Sequence, residues 1–316
     1  MKAAWDWHLP METEAEQRAV VEFAHALGFD TLIVPGPTGA MARRGEALGV
    51  RVIAIVYARP TEAFVKDHPA CLQRTLPEEE EVAAALSRAP AGYQHLSHRW
   101  FQVVQDGDLL CFEHPESREA LKGRVSRALE VADGVSFDGF GFLNHYACFC
   151  DRCRKMRAGQ ASDGAHEAEV LGRMSEESLV ALSRMLYAHA KDVKPDALVT
   201  NHVWPPFRPN WYYGCRLRLD YCTQTISWFY KPNWSLEQVA FEAAEHKRLE
   251  DRRANRFVPF IGLYGDPYLV RPPERVAKEL EIAAHYGDGH VVLCNLETPK
   301  QYPKIAEVVK AALRGM

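Results

Sequence analysis

The chain has 316 residues, a formal net charge of -4 and 47% hydrophobic residues, enough for one large α/β domain. A charge this close to neutral provides no basic field for nucleic acid, which we therefore exclude as a partner. No run of about 18 apolar residues occurs, so we predict no membrane span.

Short β-branched runs alternate with longer helical patterns along the chain, which is typical of parallel βαβ units. The predicted strands are Ala3–Trp7, Thr31–Val34, Val52–Tyr57, Gly134–Asp138, Ala197–Val203, Tyr221–Trp228, Phe257–Leu263 and His290–Asn295. The predicted helices are Glu14–Leu27, Met41–Leu48, Glu116–Ala132, Ala165–Lys191, Leu236–Glu250, Glu274–Tyr286 and Tyr302–Leu313. This alternation predicts an α/β fold, a single (β/α)8 TIM barrel over residues 1–316.

A doubly wound sheet is the alternative fold. It would have fewer strands and a glycine-rich phosphate-binding turn after the first strand. No such turn follows the first predicted strand, and Gly36-Pro37-Thr38-Gly39 is too short and too rich in proline for that role. The strand count therefore favours the barrel.

The alternation breaks between the third strand and its helix, over residues 59–115. This stretch has no clear strand up to His98, and an acidic helix is predicted near Pro77–Arg88. The segment Trp100–Phe112 is typical of a hairpin, with Asp106-Gly107-Asp108 at its turn. Because connections of this length usually serve a site, we interpret residues 59–115 as one long insertion within the barrel.

The sharpest local signal is a cysteine-rich loop after strand four, with Cys148, Cys150 and Cys153 within six residues. Zinc in structural sites takes four thiolate or imidazole ligands in a tetrahedron. Cys111 lies in the insertion just before the helix that leads back to strand four, so it is suited to be the fourth ligand. A closed four-thiolate site leaves no position for water, and the predicted zinc is therefore structural.

Two alternatives to this ligand set stay open. His114, His145 or Asp151 could replace one thiolate, or the cysteines could be ordinary buried thiols. The N-terminal segment is typical of a strand rather than a signal peptide, since Asp6 and His8 interrupt it. We therefore expect reduced thiols and a cytoplasmic protein rather than a disulfide framework.

The run from Asp133 to Gly139, followed by the cysteine-rich loop, resembles the fourth-strand region of barrel glycoside hydrolases. It is similar in particular to the zinc-containing beta-galactosidases and to glycoside-hydrolase-like relatives. In those proteins a cysteine, a proline and a basic residue precede strand four, and here these are Cys111, Pro115 and Arg118. The resemblance covers roughly Trp100 to Cys153, and more loosely Pro259 to Glu297. It implies a barrel hydrolase that carries a structural zinc.

The sequence departs from the beta-galactosidases at the expected catalytic positions. In that family an asparagine-glutamate pair ends strand four and a nucleophilic glutamate follows strand seven. Here Asp138 ends strand four, Asn144-His145 lies too close to Cys148 to match the pair, and Asp266 follows strand seven.

Glycoside hydrolysis usually needs two carboxyl groups that flank the scissile bond. In a barrel such groups lie at the carboxyl ends of the strands. Asp138 is the first candidate, because glycines around it allow a ligand to approach closely. Its partner is Glu297 or Asp266. The structural alternatives are a loop cap for Asp138, a helix start for Glu297 and a turn former for Asp266.

Sugar sites also need flat apolar faces together with polar groups for hydroxyls. The predicted strand ends are rich in both. The substrate-binding candidates are Asp6, Trp7, Tyr57, Asn201, His202, Gln224, Trp228 and Tyr264.

Two rival functions remain. A metal-dependent hydrolase would use Asp6, His8 and His202 to activate water, although the usual His-x-His of the first strand is absent. A barrel that binds a carbohydrate without cleaving it is the second. No Gly-x-Ser-x-Gly motif occurs, which disfavours a serine hydrolase. We predict a glycoside-hydrolase-like protein with a carbohydrate substrate, and homo-oligomer formation is left open.

Overall fold

The computed structural model describes residues 1–75, 107–142, 147–160, 167–203, 212–229 and 233–316. Within them, eight parallel strands close into a barrel in sequential order. The strands are β1 (Lys2–Trp5), β2 (Thr31–Pro35), β3 (Arg51–Tyr57), β4 (Gly134–Asp138), β5 (Leu198–Val203), β6 (Tyr221–Ser227), β7 (Arg256–Gly262) and β8 (Val291–Cys294). Trp5 of β1 pairs with Cys294 of β8, which closes the sheet. The predicted (β/α)8 barrel is confirmed.

Helices cover the outside of the barrel. In the described part of the chain they are α1 (Glu14–Leu27), α2 (Gly39–Leu48), α3 (Glu62–Asp67), α4 (Pro115–Leu129), α5 (Asp151–Ala158), α6 (Glu167–Val193), α7 (Leu236–Arg248), α8 (Pro273–Tyr286), α9 (Glu297–Gln301) and α10 (Pro303–Gly315). Short 3-10 turns at Pro69–Cys71 and Tyr213–Arg216 complete the connections described here. None of the described helices combines the length and apolarity that a membrane crossing requires.

The insertion contains structure that the sequence did not predict. Helix α3 begins where the Thr61 side chain accepts a hydrogen bond from the N–H of Phe64 at 3.2 Å, but six residues are too few to show a helical period. Leu110 forms an isolated antiparallel bridge with Leu72, so the start and the end of the insertion meet. The helix predicted near Pro77–Arg88 lies outside the described residues, as does most of the predicted hairpin Trp100–Phe112.

The strands divide the core into two layers. Successive side chains of a strand point to opposite faces, here toward the barrel axis or toward the helices. Trp5, Ile53 and Phe260 belong to the axis cluster, whereas Leu32 and Ile261 pack in a cluster under the helices. The parity of a residue within its strand therefore decides whether its side chain can reach the mouth of the barrel.

A buried ion pair fixes the ends of β6 and β7. Arg271 Nη2 lies 3.1 Å from Glu279 Oε2, and both side chains are almost fully buried. The same guanidinium donates to the carbonyl of Trp228 at 2.8 Å and to the carbonyl of Gly262. Arg275 adds a second ion pair to Glu279 at 2.7 Å. These contacts hold two strand ends that border the mouth.

Replacing Glu279 with glutamine should reduce the free energy of unfolding by about 3–5 kcal/mol, because it leaves the charge of Arg271 buried without its carboxylate. Urea denaturation measures this change. Glu281→Gln is the matched control, since Glu281 is exposed and forms an ion pair with the exposed Lys278 of the same helix. Its expected loss is less than about 1 kcal/mol, and equal losses in the two variants would contradict the role of the buried pair.

Candidate active site and metal centre

Asp6 joins two loops at the mouth of the barrel. It follows β1 and is fully buried. Its Oδ1 accepts hydrogen bonds from the backbone N–H groups of His8 at 2.9 Å and Leu9 at 2.8 Å. Its Oδ2 accepts from the N–H of Leu296 at 2.7 Å. The carboxylate thus holds the loop after β1 against the loop after β8.

His8 and Glu297 meet across these two loops. His8 Nδ1 lies 3.7 Å from Glu297 Oε2, and both side chains are partly exposed. Gln301 Nε2 donates to the other carboxylate oxygen of Glu297 at 2.9 Å. The sequence analysis named Glu297 as a catalytic candidate and His8 as a ligand of the metal-hydrolase alternative. It did not predict that the two residues would be neighbours.

Aromatic side chains surround the His8–Glu297 pair. The ring of His8 packs edge-on against Tyr264, with centroids 5.3 Å apart. Trp7 lies 5.3 Å from His8 and 6.1 Å from Phe229. Phe229 was missed at the level of sequence, although it directly follows the candidate Trp228. Trp7 is one of the exposed large hydrophobic residues of the described chain.

Asp138 lies at the end of β4, in register with Tyr57 of β3. Residues paired in register point to the same face, and Tyr57 packs against the axis cluster, so Asp138 also faces the axis. Its Oδ1 accepts the N–H of Gly139 at 2.9 Å, and Gly139 has a φ of 69°, which disfavours a residue with a Cβ. Burial, with a contribution from the charge of Asp138, raises the pKa of Tyr57, which therefore stays protonated at neutral pH.

Asp266 is exposed in the turn after β7. Its Oδ1 accepts the backbone N–H of Tyr268 at 2.7 Å. Its carbonyl accepts the N–H groups of Leu269 and Val270. These hydrogen bonds are typical of a residue that forms a turn, and the carboxylate accepts its bond from a residue of the same turn.

His202 and Trp228 lie deeper on the axis side. The His202 ring stacks on Phe260 with centroids 3.7 Å apart, and its Nε2 is 3.0 Å from Thr225 Oγ1. Trp228 lies 6.3 Å from His202. Both side chains are buried, and Trp228 belongs to the axis cluster.

Asn201 and Gln224 face the helix side of the barrel instead. Asn201 precedes the axis-facing His202 on β5 and pairs in register with Cys222, which belongs to the core under the helices. Gln224 packs against the backbone of Gly214, where an added Cβ would lie 2.5 Å from its Oε1. Strand alternation therefore separates these two amides from the other substrate-binding candidates.

The residues of the metal-hydrolase alternative are not gathered into one ligand set. The Asp6 carboxylate accepts three hydrogen bonds from backbone N–H groups. In the described part of the chain, neither of the two groups whose ligand atoms lie close enough to hold a metal ion includes Asp6, His8 or His202.

Four buried cysteines form one of those groups. The ligand atoms of Cys111, Cys148, Cys150 and Cys153 all lie within 4.8 Å of one another, so they could hold a metal ion. Cys111 Sγ is 3.6 Å from Cys150 Sγ and 3.5 Å from Cys153 Sγ. A disulfide would need about 2.05 Å, whereas tetrahedral Zn–S bonds of about 2.3 Å imply about 3.8 Å between sulfurs.

Hydrogen bonding among the four thiols divides them into two pairs. It lowers the pKa of Cys148 and Cys150 and raises the pKa of Cys111 and Cys153, so the case for a metal rests on the distances between the sulfurs. Of the alternative ligands, Asp151 is exposed at the start of α5 and His145 lies outside the described residues. His114 Nε2 is 3.9 Å from Cys150 Sγ, beside the four thiols rather than among them.

Solved structures similar to this chain include barrel glycoside hydrolases. They include a beta-galactosidase from the haloarchaeon Halorubrum lacusprofundi (TM-score 0.62, 14% identity, 99% of this chain and 58% of that chain). The fold is that of the barrel glycoside hydrolases. A GH42 beta-galactosidase from G. stearothermophilus shares this fold, with a TM-score of 0.65 and 11% identity over 99% of this chain and 56% of that chain. The PgaB glycoside hydrolase domain from Bordetella bronchiseptica also shares it, with a TM-score of 0.62 and 10% identity over 99% of this chain and 98% of that chain.

This glycoside hydrolase-like barrel spans less than two thirds of the two beta-galactosidases but nearly all of the PgaB domain. No family model matches the chain, and no curated protein matches it. At identities of 10–14% the likeness shows the fold alone, and at that level it confirms the resemblance seen in the sequence.

Replacing Asp6 with asparagine should lower the free energy of unfolding by about 1–3 kcal/mol, because an amide cannot accept all three backbone hydrogen bonds. Urea denaturation measures the loss. Asp266→Asn is the control, since Asp266 is exposed and its change should cost no more than about 0.5 kcal/mol. An Asp6 variant as stable as this control would show that the buried carboxylate does not hold the two loops together.

Proposed function

We propose that this protein is a glycoside hydrolase whose two carboxylates are Asp138 and Glu297. The observation that carries the proposal is the position of both at the carboxyl end of the barrel. Asp138 faces the axis from the end of β4, and Glu297 follows β8. β4 and β8 are four strands apart in the closed barrel of eight, so the strand ends that precede the two residues lie on opposite sides of the mouth.

The surroundings of the two groups favour different roles. Glu297 has a histidine at 3.7 Å and an amide donor at 2.9 Å, contacts that orient a carboxylate acting as nucleophile or as base toward water. Asp138 is half-buried and faces the axis, and we assign it the remaining role, the transfer of a proton to the leaving oxygen.

The aromatic side chains of the mouth supply stacking faces for a sugar ring. In this proposal Trp7 and Tyr264 contact the substrate near Glu297, and Tyr57 contacts it near Asp138. We assign His202 and Trp228 to the floor of this substrate site. Asp6 acts as a positioning residue, since its backbone bonds fix the loops that carry His8 and Glu297.

We also propose that the four-cysteine cluster binds Zn²⁺. Thiolate ligands select zinc over hard cations such as Mg²⁺ and Ca²⁺. Four protein ligands leave no position for water, so this zinc stabilises the structure and takes no part in hydrolysis. It would tie the end of the insertion, through Cys111, to the loop after β4.

Replacing Asp138 with asparagine, or Glu297 with glutamine, should each reduce kcat by about 10²- to 10⁴-fold, the contribution of a general acid or base. Release of nitrophenol from a panel of aryl glycosides measures the activity. Asp251→Asn, at the opposite end of the barrel just before β7, is the control and should keep the full rate.

Asp266→Asn decides between the two candidate partners of Asp138. If Asp266→Asn lost activity and Glu297→Gln kept full activity, Asp266 rather than Glu297 would be the second catalytic carboxylate. Saturable binding of a glycan to the unmodified protein, with no hydrolysis of any glycoside in the panel, would instead indicate a carbohydrate-binding barrel. Full activity in Asp138→Asn would contradict the assignment of that residue.

Replacing Cys150 with serine should abolish zinc binding by the four-cysteine cluster and lower the melting temperature by several degrees. Each kcal/mol of lost stability lowers Tm by about 2–4 °C in a domain of more than 150 residues. Elemental analysis and thermal denaturation measure the two effects. Cys215→Ser, at a partly buried cysteine outside the cluster, should change neither, and an unchanged Tm in Cys150→Ser would argue against a structural metal.

A further inference from the structure

A second group of metal-binding side chains lies beside the four cysteines. It consists of Cys71 from the 3-10 turn after α3, His114 before α4, and Glu116 in the first turn of α4. We propose that Cys71, His114 and Glu116 bind a second divalent transition-metal ion, of which zinc is the expected one. This proposal is independent of the proposed hydrolytic activity.

All three ligand atoms lie within 4.8 Å of one another, and the two distances from Cys71 are close to those around a tetrahedral ion. Cys71 Sγ is 3.4 Å from His114 Nδ1 and 3.7 Å from Glu116 Oε2. Zinc bonds of about 2.3 Å to sulfur and about 2.0–2.2 Å to nitrogen and oxygen place such ligand atoms about 3.4–3.6 Å apart. An ion therefore fits among the three atoms with little movement of the side chains.

The backbone around the group is already fixed by other contacts. The carbonyl of Cys71 accepts hydrogen bonds from the N–H of Cys111 at 2.8 Å and from Ser117 Oγ at 3.1 Å. These bonds hold the turn with Cys71 against both the end of the insertion and the start of α4. The ligands come from separate segments, yet their relative position does not depend on the ion.

The ligand types select the class of metal. One sulfur, one imidazole nitrogen and one carboxylate oxygen suit zinc or cobalt, whereas Ca²⁺ and Mg²⁺ prefer oxygen ligands alone. Three protein ligands leave a fourth position open, unlike the four-cysteine cluster. Glu116 is exposed and His114 is half-buried, so this open position lies on the solvent side.

His114 connects the two groups. When its Nδ1 binds an ion, the proton of the ring is on Nε2, which lies 3.9 Å from Cys150 Sγ. The Nε2–H group then donates to a thiolate of the four-cysteine cluster. Such a contact orients a ligand histidine and stabilises the neighbouring thiolate, so each ion should favour binding of the other.

The experiment is equilibrium dialysis of the full chain against Zn²⁺ under reducing conditions, with zinc per chain measured by elemental analysis. The unmodified protein should bind two zinc ions. Cys71→Ser and Glu116→Gln should each bind one, and Cys153→Ser should keep the ion held by Cys71. Glu119→Gln, at an exposed carboxylate one turn further along α4, and Cys215→Ser are the matched controls and should bind two.

The outcomes separate the two sites. The proposal would be overturned if Cys71→Ser and Glu116→Gln both still bound two ions. It would also be overturned if the unmodified protein bound a single ion that neither change removed. A single ion that is lost in Cys71→Ser and kept in Cys153→Ser would support this site and refute the four-cysteine zinc. Circular dichroism checks that each variant folds. If Cys71→Ser does not fold, the zinc content of Glu116→Gln tests the proposal, because this change alters only an exposed side chain.

Discussion

The arrangement of one side of the barrel mouth depends on the hydrogen bonds of the buried Asp6 carboxylate. Its two oxygens accept three backbone N–H groups, two from the loop after β1 and one from the loop after β8. The strands that precede these loops, β1 and β8, pair directly with each other. Because the loops are held together, His8 and Glu297 become neighbours, and the aromatic rings of Trp7 and Tyr264 gather around them.

Two further sets of buried contacts hold other described parts of the mouth. Arg271, neutralised by Glu279, binds the backbone at the ends of β6 and β7. Cys111 brings the end of the insertion against the cysteines of the loop that follows β4. The barrel thus supplies the strands, while buried charges and thiols determine how their irregular exits are arranged. Since one fold serves many reactions, this arrangement rather than the barrel carries the functional proposal.

The barrel and the cysteine cluster could be predicted from the sequence because both leave local signals. Alternating strand and helix patterns located every strand to within two residues, the largest difference being β1, which ends at Trp5 rather than Trp7. The spacing of Cys148, Cys150 and Cys153 indicated the cysteine-rich loop. The sequence analysis did not predict the short helix α5, which contains Cys153. Helix α3 was missed because six residues show no period.

By itself, then, the sequence determined the fold class, the strand ends at which Asp138 and Glu297 lie, and the three clustered thiols. Only the tertiary structure decided which candidates share a site, because that depends on strand register and on contacts between distant segments. Register turned Asn201 and Gln224 toward the helices and His202 toward the axis. Barrel closure engaged Asp6 with backbone N–H groups, and folding of the insertion brought Cys71 beside His114, across 43 positions of chain.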